Sequence, residues 1–422
     1  MAWNVLLLLT IAAAGLLTCA WLLELGLPRG PALAGGLAFA LAPYRVAQST
    51  GHLLGLIAIL LPLSLACLER GLRLHNGWWT AGGVAALVSI PLSGQVHLAL
   101  AAVPFFCAFA LVRSPGRWGV AAASAALAGA GAVGLLVRQT TIAHSELAGG
   151  RSLHAVARYS ATWTDLVSRS VPHEPERFVY LGWATPVLAL VGLALVLRSR
   201  PRLGLVLGFA AVLTILLALG THLPLYSAVW HAFPPLRYPR VPGRLLPVGC
   251  LALAALVAFA LARAPRLGLA TLLAVPLLFL DLHVHLLHPT AADEGNRAYA
   301  ALRAKPSGRL LELPVFLPDL HYGSVYQYYD LQARRERPAG YSTVAPVAAD
   351  TLLRKVRPMN CGTGGFDLLP SLDVRYVAVH AGLYAVTSRV RASCLAPART
   401  ALLAHGFTRI AGDGAVELYA RP

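Results

Sequence analysis

The chain has 422 residues, 57% of them hydrophobic and 13% charged, with a mean hydropathy of +0.64. Soluble globular proteins carry about 25% charged residues, so this composition excludes a soluble enzyme, a disordered chain and a nucleic-acid-binding domain, and it calls for a bilayer. The formal net charge of +17 does not mark a DNA-binding surface, because the basic residues fall mostly in short gaps between apolar runs.

A membrane-crossing helix needs about 20 apolar residues. Ten candidate spans follow in chain order: 4–26, 31–48, 53–69, 78–92, 97–112, 118–137, 178–197, 203–220, 244–262 and 267–286. Several carry proline (Pro43, Pro62, Pro91, Pro186), which a bundle tolerates because neighbouring helices satisfy the freed backbone groups. Alternate gaps hold Arg29, then Arg70 and Arg73, then Arg113 and Arg117, then Arg198, Arg200 and Arg202, then Arg263 and Arg266. These short basic gaps read as cytoplasmic. The opposite set, 49–52, 93–96, 138–177, 221–243 and 288–422, reads as the outer side, together with an N-terminus whose first 28 residues lack Lys and Arg. The expected architecture is mainly α: a polytopic helical membrane bundle over 1–289, with outer loops 138–177 and 221–243, and a small C-terminal extracytoplasmic α/β domain over 290–422.

The tail differs in composition, holding eleven of the eighteen acidic residues. Runs at 309–315 and 375–380 read as strands. Residues 407–420 read as a hairpin turning at Gly412-Asp413-Gly414, and helices are expected at 293–304 and 347–357. In an oxidising outer compartment the tail's Cys361 and Cys394 could pair; two free thiols are the other reading. No Cys/His group has metal-ligand spacing.

Three outer stretches carry polar chemistry. In loop 138–177, Tyr159, Trp163 and Asp165, with Glu174 and Glu176 further on, form either a platform over a membrane cavity or interfacial anchors with solvated acids. At the mouth of the second span, Arg45 and His52 could hold a lipid phosphate or snorkel into headgroups. Arg237, Arg240 and Arg244 lie on a proline-stiffened loop, as an anion cradle or as a contact with anionic lipid. Asp281, beside His283 and His285 near the end of the last span, reads as half of a structural Asp–His pair. Gln95 and His97 flank a short outer turn, and between Met1 and His144 the only acids are Glu24 and Glu69.

The ordered set Gly35-Gly36 through Ala42-Pro43-Tyr44-Arg45, His52, Leu61-Pro62-Leu63, Arg158-Tyr159-Ser160-Ala161, Tyr180-Leu181-Gly182-Trp183, Arg240-Val241-Pro242-Gly243-Arg244, Leu311-Glu312-Leu313-Pro314 and Val374-Arg375-Tyr376 resembles bacterial GT-C-type membrane glycosyltransferases. The resemblance spans nearly the whole chain. It implies transfer of a sugar from a polyprenyl-phosphate donor to an envelope glycan, lipid or protein acceptor at the outer face of the bacterial cytoplasmic membrane, with membrane lipid and the lipid-linked donor as partners. It further implies that Arg45, Arg240 and Arg244 hold the donor phosphate and that His52, Tyr159 and Asp165 line the cavity. The family's first helix and its acidic first outer loop have no counterpart here. A divalent metal is therefore expected only if such a loop exists, and Asp165, Glu174 and Glu176 remain as candidate bases. The other reading is a non-catalytic membrane scaffold or a handler or transporter of lipid-linked glycans.

Overall fold

The computed structural model describes residues 2–172, 174–285, 295–387 and 389–421. Two compact units are present: Met1–Leu136 with Gly150–Leu287, and Val137–Gly149 with His288–Pro422. The expected boundary at 289/290 lies outside the described residues. Residues 137–149 group with the tail although the sequence places 137 at the end of a span and 138–149 in a loop of the bundle. Their backbone pairs there: Ser145 bridges Pro346, and the Glu146 amide donates to the Ala345 carbonyl.

The first unit is helical: α1 (Ala2–Glu24), α2 (Arg29–Ala40), α3 (Pro43–Gly51), α4 (Leu54–Ile57), α5 (Leu60–Leu74), α6 (Gly77–Leu92), α7 (Val96–Arg113), α8 (Arg117–Thr140, its last turn counted with the second unit), α9 (Leu153–Ala157), α10 (Ala184–Ser199), α11 (Pro201–Ala218), α12 (Pro224–Ala232), α13 (Leu246–Ala262) and α14 (Leu267–Leu282). Six stretches are long and apolar enough to cross a membrane, and α6, α10 and α14 are shorter apolar helices. This is an integral membrane protein.

The expected span 31–48 does not form. Proline disfavours helix at the residue before it, and α2 ends at Ala40, with α3 starting afresh at Pro43. The orphan carbonyls at the end of α2 are satisfied by Arg45. Its buried guanidinium donates to Phe39 O at 3.1 Å, to Ala40 O, and to Gly55 O at 3.2 Å. Cations at helix C-termini are favoured for this reason. The expected span 178–197 likewise shortens to α10, with 178–183 non-helical.

α13 is the hub, buried along nearly its whole length against α2, α10 and α11. Gly192 makes this possible, since a Cβ there would lie 1.8 Å from the Leu256 carbonyl oxygen. The two early acids join helix ends: Glu69 of α5 takes a two-pronged bond from Arg113 of α7, and Glu24 of α1 pairs with Arg70 and Arg73 of α5.

Asp281 corrects an expectation. It makes no pair with His283 or His285, whose rings meet each other at 5.1 Å. Its carboxylate instead accepts the amides of Trp183 (2.8 and 2.9 Å), Ala184 (2.9 Å) and Thr185 (3.4 Å), capping the start of α10. Carboxylates are favoured at that end of a helix. Gly182 leaves room for it: at φ +86°, a Cβ on residue 182 would sit 2.5 Å from Asp281 Oδ2. Gly182→Ala should therefore lower the thermal midpoint of the purified chain. The left-handed backbone costs about 1–2 kcal/mol, and the displaced cap adds to that. An unchanged midpoint would refute this packing.

The second unit holds α15 (Arg297–Arg303), β1 (Arg309–Leu313), α16 (Ser324–Tyr329), α17 (Val347–Val356), β2 (Val374–His380), α18 (Ala381–Val386), α19 (Leu395–Ala404), β3 (Thr408–Gly412) and β4 (Val416–Ala420). The sheet order is β1-β2-β4-β3, with β1 and β2 parallel and the other pairs antiparallel. Both faces are covered. Leu311, Leu313, Val377, Val379 and Tyr419 pack under α17 and α19. Leu310, Tyr376, Ala378, Val416 and Leu418 pack against Tyr299, Leu302 and Tyr329. Cys361 and Cys394 form a disulfide.

Candidate functional site

The polar centre of the first unit starts on α3. Tyr44 and Gln48 are four apart and share one helical face, and His52 follows four residues on. His52 lies just past the helix end in extended backbone, and this frees its ring from the helix. Its Nε2 stands 2.9 Å from Glu176 Oε1. Gln48 Nε2 donates to Glu176 Oε2 at 3.3 Å, and Arg244 Nη2 donates to Oε1. Arg244 belongs to the single 3-10 turn Pro242–Leu245 that leads into α13, and Glu176 to the turn Pro175–Arg177. Burial would raise the Glu176 carboxyl, but His52 and Arg244 outweigh it and hold the group well below the usual carboxylate range. Glu176 is a locked carboxylate.

The other two acids brace the same loop. Asp165 accepts from Thr162 N at 2.7 Å and Thr162 Oγ1 at 2.8 Å, and pairs with Arg177 at 3.0 Å. Burial opposes ionisation here too, but these bonds prevail and the carboxyl titrates below its ordinary value. Glu174 pairs with Arg158 at 3.1 Å. Tyr159 lies between two guanidiniums, Arg158 at 5.5 Å and Arg240 at 5.1 Å from its ring centre; such contacts hold arginines in place.

Of the expected anion ligands, the structure gathers Arg240 and Arg244 with His52 and Tyr159, and it corrects two. Arg45 is spent on carbonyls beneath the surface, as described above. Arg237 donates to Trp230 O at 3.3 Å and His231 O at 3.0 Å at the end of α12 and stacks on Trp230. Both arginines serve helix C-termini.

Gln48, Arg151 and His97 join the centre. The spacing of four on α3 was the available signal for Gln48. Arg151 gave none, since its place comes from a non-local bond of its Nε to Tyr238 O at 3.1 Å. His97, at the start of α7, lies within electrostatic reach of Glu176, Arg151, Arg240 and Arg244. Its Nε2 is buried and has no hydrogen-bond partner among the described residues.

Below this centre runs an apolar cavity of about 560 Å³, bounded by α7, α11, α12, the turn 234–237 and the start of α13. Leu100, Ala101, Pro104, Phe105 and Ala108 line it, all on the α7 face that carries His97 one turn earlier. From Leu205 to Leu217, α11 contributes the opposite wall, a length of about 18 Å at 1.5 Å per residue. Leu245 and Val248 also line the cavity, and Arg244 directly precedes Leu245. The lining itself is apolar, and His97 and Arg244 are the sequence neighbours of two of its residues, Leu100 and Leu245.

The class of fold is therefore a mainly helical integral membrane protein with a small α/β unit. The chain is similar to a solved structure of the arabinofuranosyltransferase AftD from Mycobacteria, with a TM-score of 0.59 and 19% identity over 99% of this chain. The chain covers 35% of AftD. At that identity the likeness is one of fold. No protein-family model matches the chain, and no curated protein sequence matches it.

Proposed function

We propose that this chain is a GT-C-like glycosyltransferase that takes its sugar from a polyprenyl-phosphate donor at the outer membrane face. One observation carries the reading: the trough is lined by Leu100 and Leu245, one turn from His97 and next in sequence to Arg244, and Arg240 lies within electrostatic reach of the same His97. A lipid-linked sugar phosphate has the same division, a long hydrocarbon and a charged group where hydrocarbon stops. Cavities of roughly 300–1,000 Å³ suit small ligands, and the trough holds the near part of a polyprenyl chain whose remainder lies in lipid. Arg244 and Arg240 bind the phosphate through charge-assisted bonds, Arg244 offering the fork geometry that suits it. The Tyr159 ring, 5.1 Å from the Arg240 guanidinium, keeps Arg240 in place. The likeness to AftD makes an arabinofuranosyl donor the first to test.

The experiment presents the purified full chain, in nanodiscs with membranes of its source as acceptor, with polyprenyl-phosphate-linked labelled arabinofuranose. A parallel set uses other pentose and hexose donors. Transfer above the level of an Arg240→Ala, Arg244→Ala double variant supports the proposal. No transfer from any donor, with undecaprenyl phosphate bound no better than phosphatidylglycerol, would sink it.

A further inference from the structure

We propose that His52 is the general base of this transfer and that Glu176 is its positioning residue. The inference rests on the glycosyl-transfer reading above and supplies what that reading lacks, a proton acceptor. Asp165 and Glu174 are bound up in bracing the loop, and Glu176 accepts three donors at once, so none of the three carboxylates is poised to take a proton. His52 differs from them. Its imidazole is 39% exposed, at the end of α3 and beside the arginine assigned to the donor phosphate.

The tautomer follows from the partner. An ionised carboxylate only accepts hydrogen bonds, so the His52 nitrogen 2.9 Å from Glu176 carries the proton, and the lone pair of the neutral ring is on Nδ1. No hydrogen bond engages Nδ1 among the described residues. This is the carboxylate–histidine arrangement in which the acid fixes the ring's orientation and stabilises the imidazolium that forms. Arg244 Nη2, 3.5 Å from Nε2, can only donate, so in this tautomer it makes no hydrogen bond to the ring and is held by Glu176 Oε1 instead.

The step balances. The acceptor hydroxyl oxygen forms a bond to the anomeric carbon, and the bond from that carbon to the phosphate oxygen breaks. Polyprenyl phosphate leaves with the electron pair, and the hydroxyl proton moves to His52 Nδ1. The imidazolium is then paired with Glu176 while the phosphate's new negative charge faces Arg244. Proton transfer of this kind is worth about 10²–10⁴-fold in rate.

Two readouts on the full chain in nanodiscs test the assignment. In ¹⁵N-histidine spectra, the signals lost in His52→Gln identify the residue. In the neutral ring they should show Nε2 protonated and Nδ1 bare, and Glu176→Ala should abolish that preference. A neutral His52 ring protonated on Nδ1 would overturn the proposal whether or not a substrate is in hand. In the transfer assay, His52→Gln should lower turnover about 10²–10⁴-fold with the KM for the lipid donor unchanged. Added imidazole should restore part of the loss. Wild-type turnover in His52→Gln, with donor binding intact, would overturn the base while leaving the donor site standing. Loss of undecaprenyl phosphate binding in the wild-type chain would instead bring down the parent reading.

Discussion

Replacing Arg244 with alanine is expected to weaken undecaprenyl phosphate binding to the purified chain by on the order of 30-fold to several thousand-fold. That range corresponds to the 2–5 kcal/mol lost when one partner of a buried, hydrogen-bonded charge pair is truncated. The side chain is 16% exposed and shares Glu176 with His52, so the variant loses a phosphate ligand and also leaves Glu176 short of a donor. Arg244→Lys should fall between, because a point charge cannot reproduce the planar fork. Arg237→Ala provides the contrast. That arginine is tied to carbonyls at the end of α12, so affinity should stay near wild type. Titration by native mass spectrometry with phosphatidylglycerol as competitor reads all three. Equal binding in Arg244→Ala and wild type would remove Arg244 from the site.

The largest effect on stability is expected in the second unit, from Arg337→Leu. Glu312 of β1 is buried in the sheet. Arg337 Nε donates to its Oε2 at 3.0 Å, the Tyr299 hydroxyl donates to Oε1 at 2.6 Å, and His380 Nε2 lies 3.0 Å from that hydroxyl. Without the guanidinium, an uncompensated charge remains in the interior, at about 3–5 kcal/mol. All eight tryptophans lie before residue 290, so fluorescence does not report on this unit and hydrogen exchange is the suitable measurement. Protection of β1 and β2 amides should fall by on the order of 10²–10³-fold, and Glu312→Leu in the same chain should recover much of it. Unchanged protection would show that the pair carries no stability.

Glu312 also gives this unit a pH dependence. Burial lifts its carboxyl above the usual range, more than Arg337 and Tyr299 lower it. The folded unit therefore holds this proton more tightly than the unfolded chain. Its contribution is complete below the ordinary carboxylate pKa and is lost as pH rises through the raised folded value. Glu312→Gln should remove that part of the slope.

How much of this could be read in advance depends on distance along the chain. The apolar runs that became α5, α7, α11 and α13 were legible because burial and length act locally. So were α17 and the β3–β4 hairpin, whose turn chemistry lies within a few residues of Asp413-Gly414. The break between α2 and α3 was only half visible. Pro43 signals it, but the reason it holds is Arg45 reaching Gly55 O ten residues on. The same arginine looked like an anion ligand because sequence shows a cation near an interface and not the carbonyls that claim it. His52 and Glu176 lie 124 positions apart, and nothing local to either announces the other. Asp281 followed the same pattern: its histidine neighbours suggested a pair, while its partners, three amides with Tyr180 and Arg169, lie about a hundred residues earlier.

On this reading the trough between α7 and α11 holds the lipid of a phosphate-linked donor whose charged end meets Arg244. The most direct test is photocrosslinking of the full chain in nanodiscs with undecaprenyl phosphate carrying a diazirine on its first isoprene units, followed by peptide mapping. Labelling is expected on the Leu100–Ala108 face of α7 and on Leu205–Leu217 of α11, competed by unlabelled undecaprenyl phosphate and lost in Arg244→Ala. Label spread evenly over the lipid-facing surfaces of α1 and α8, and indifferent to Arg244, would contradict it.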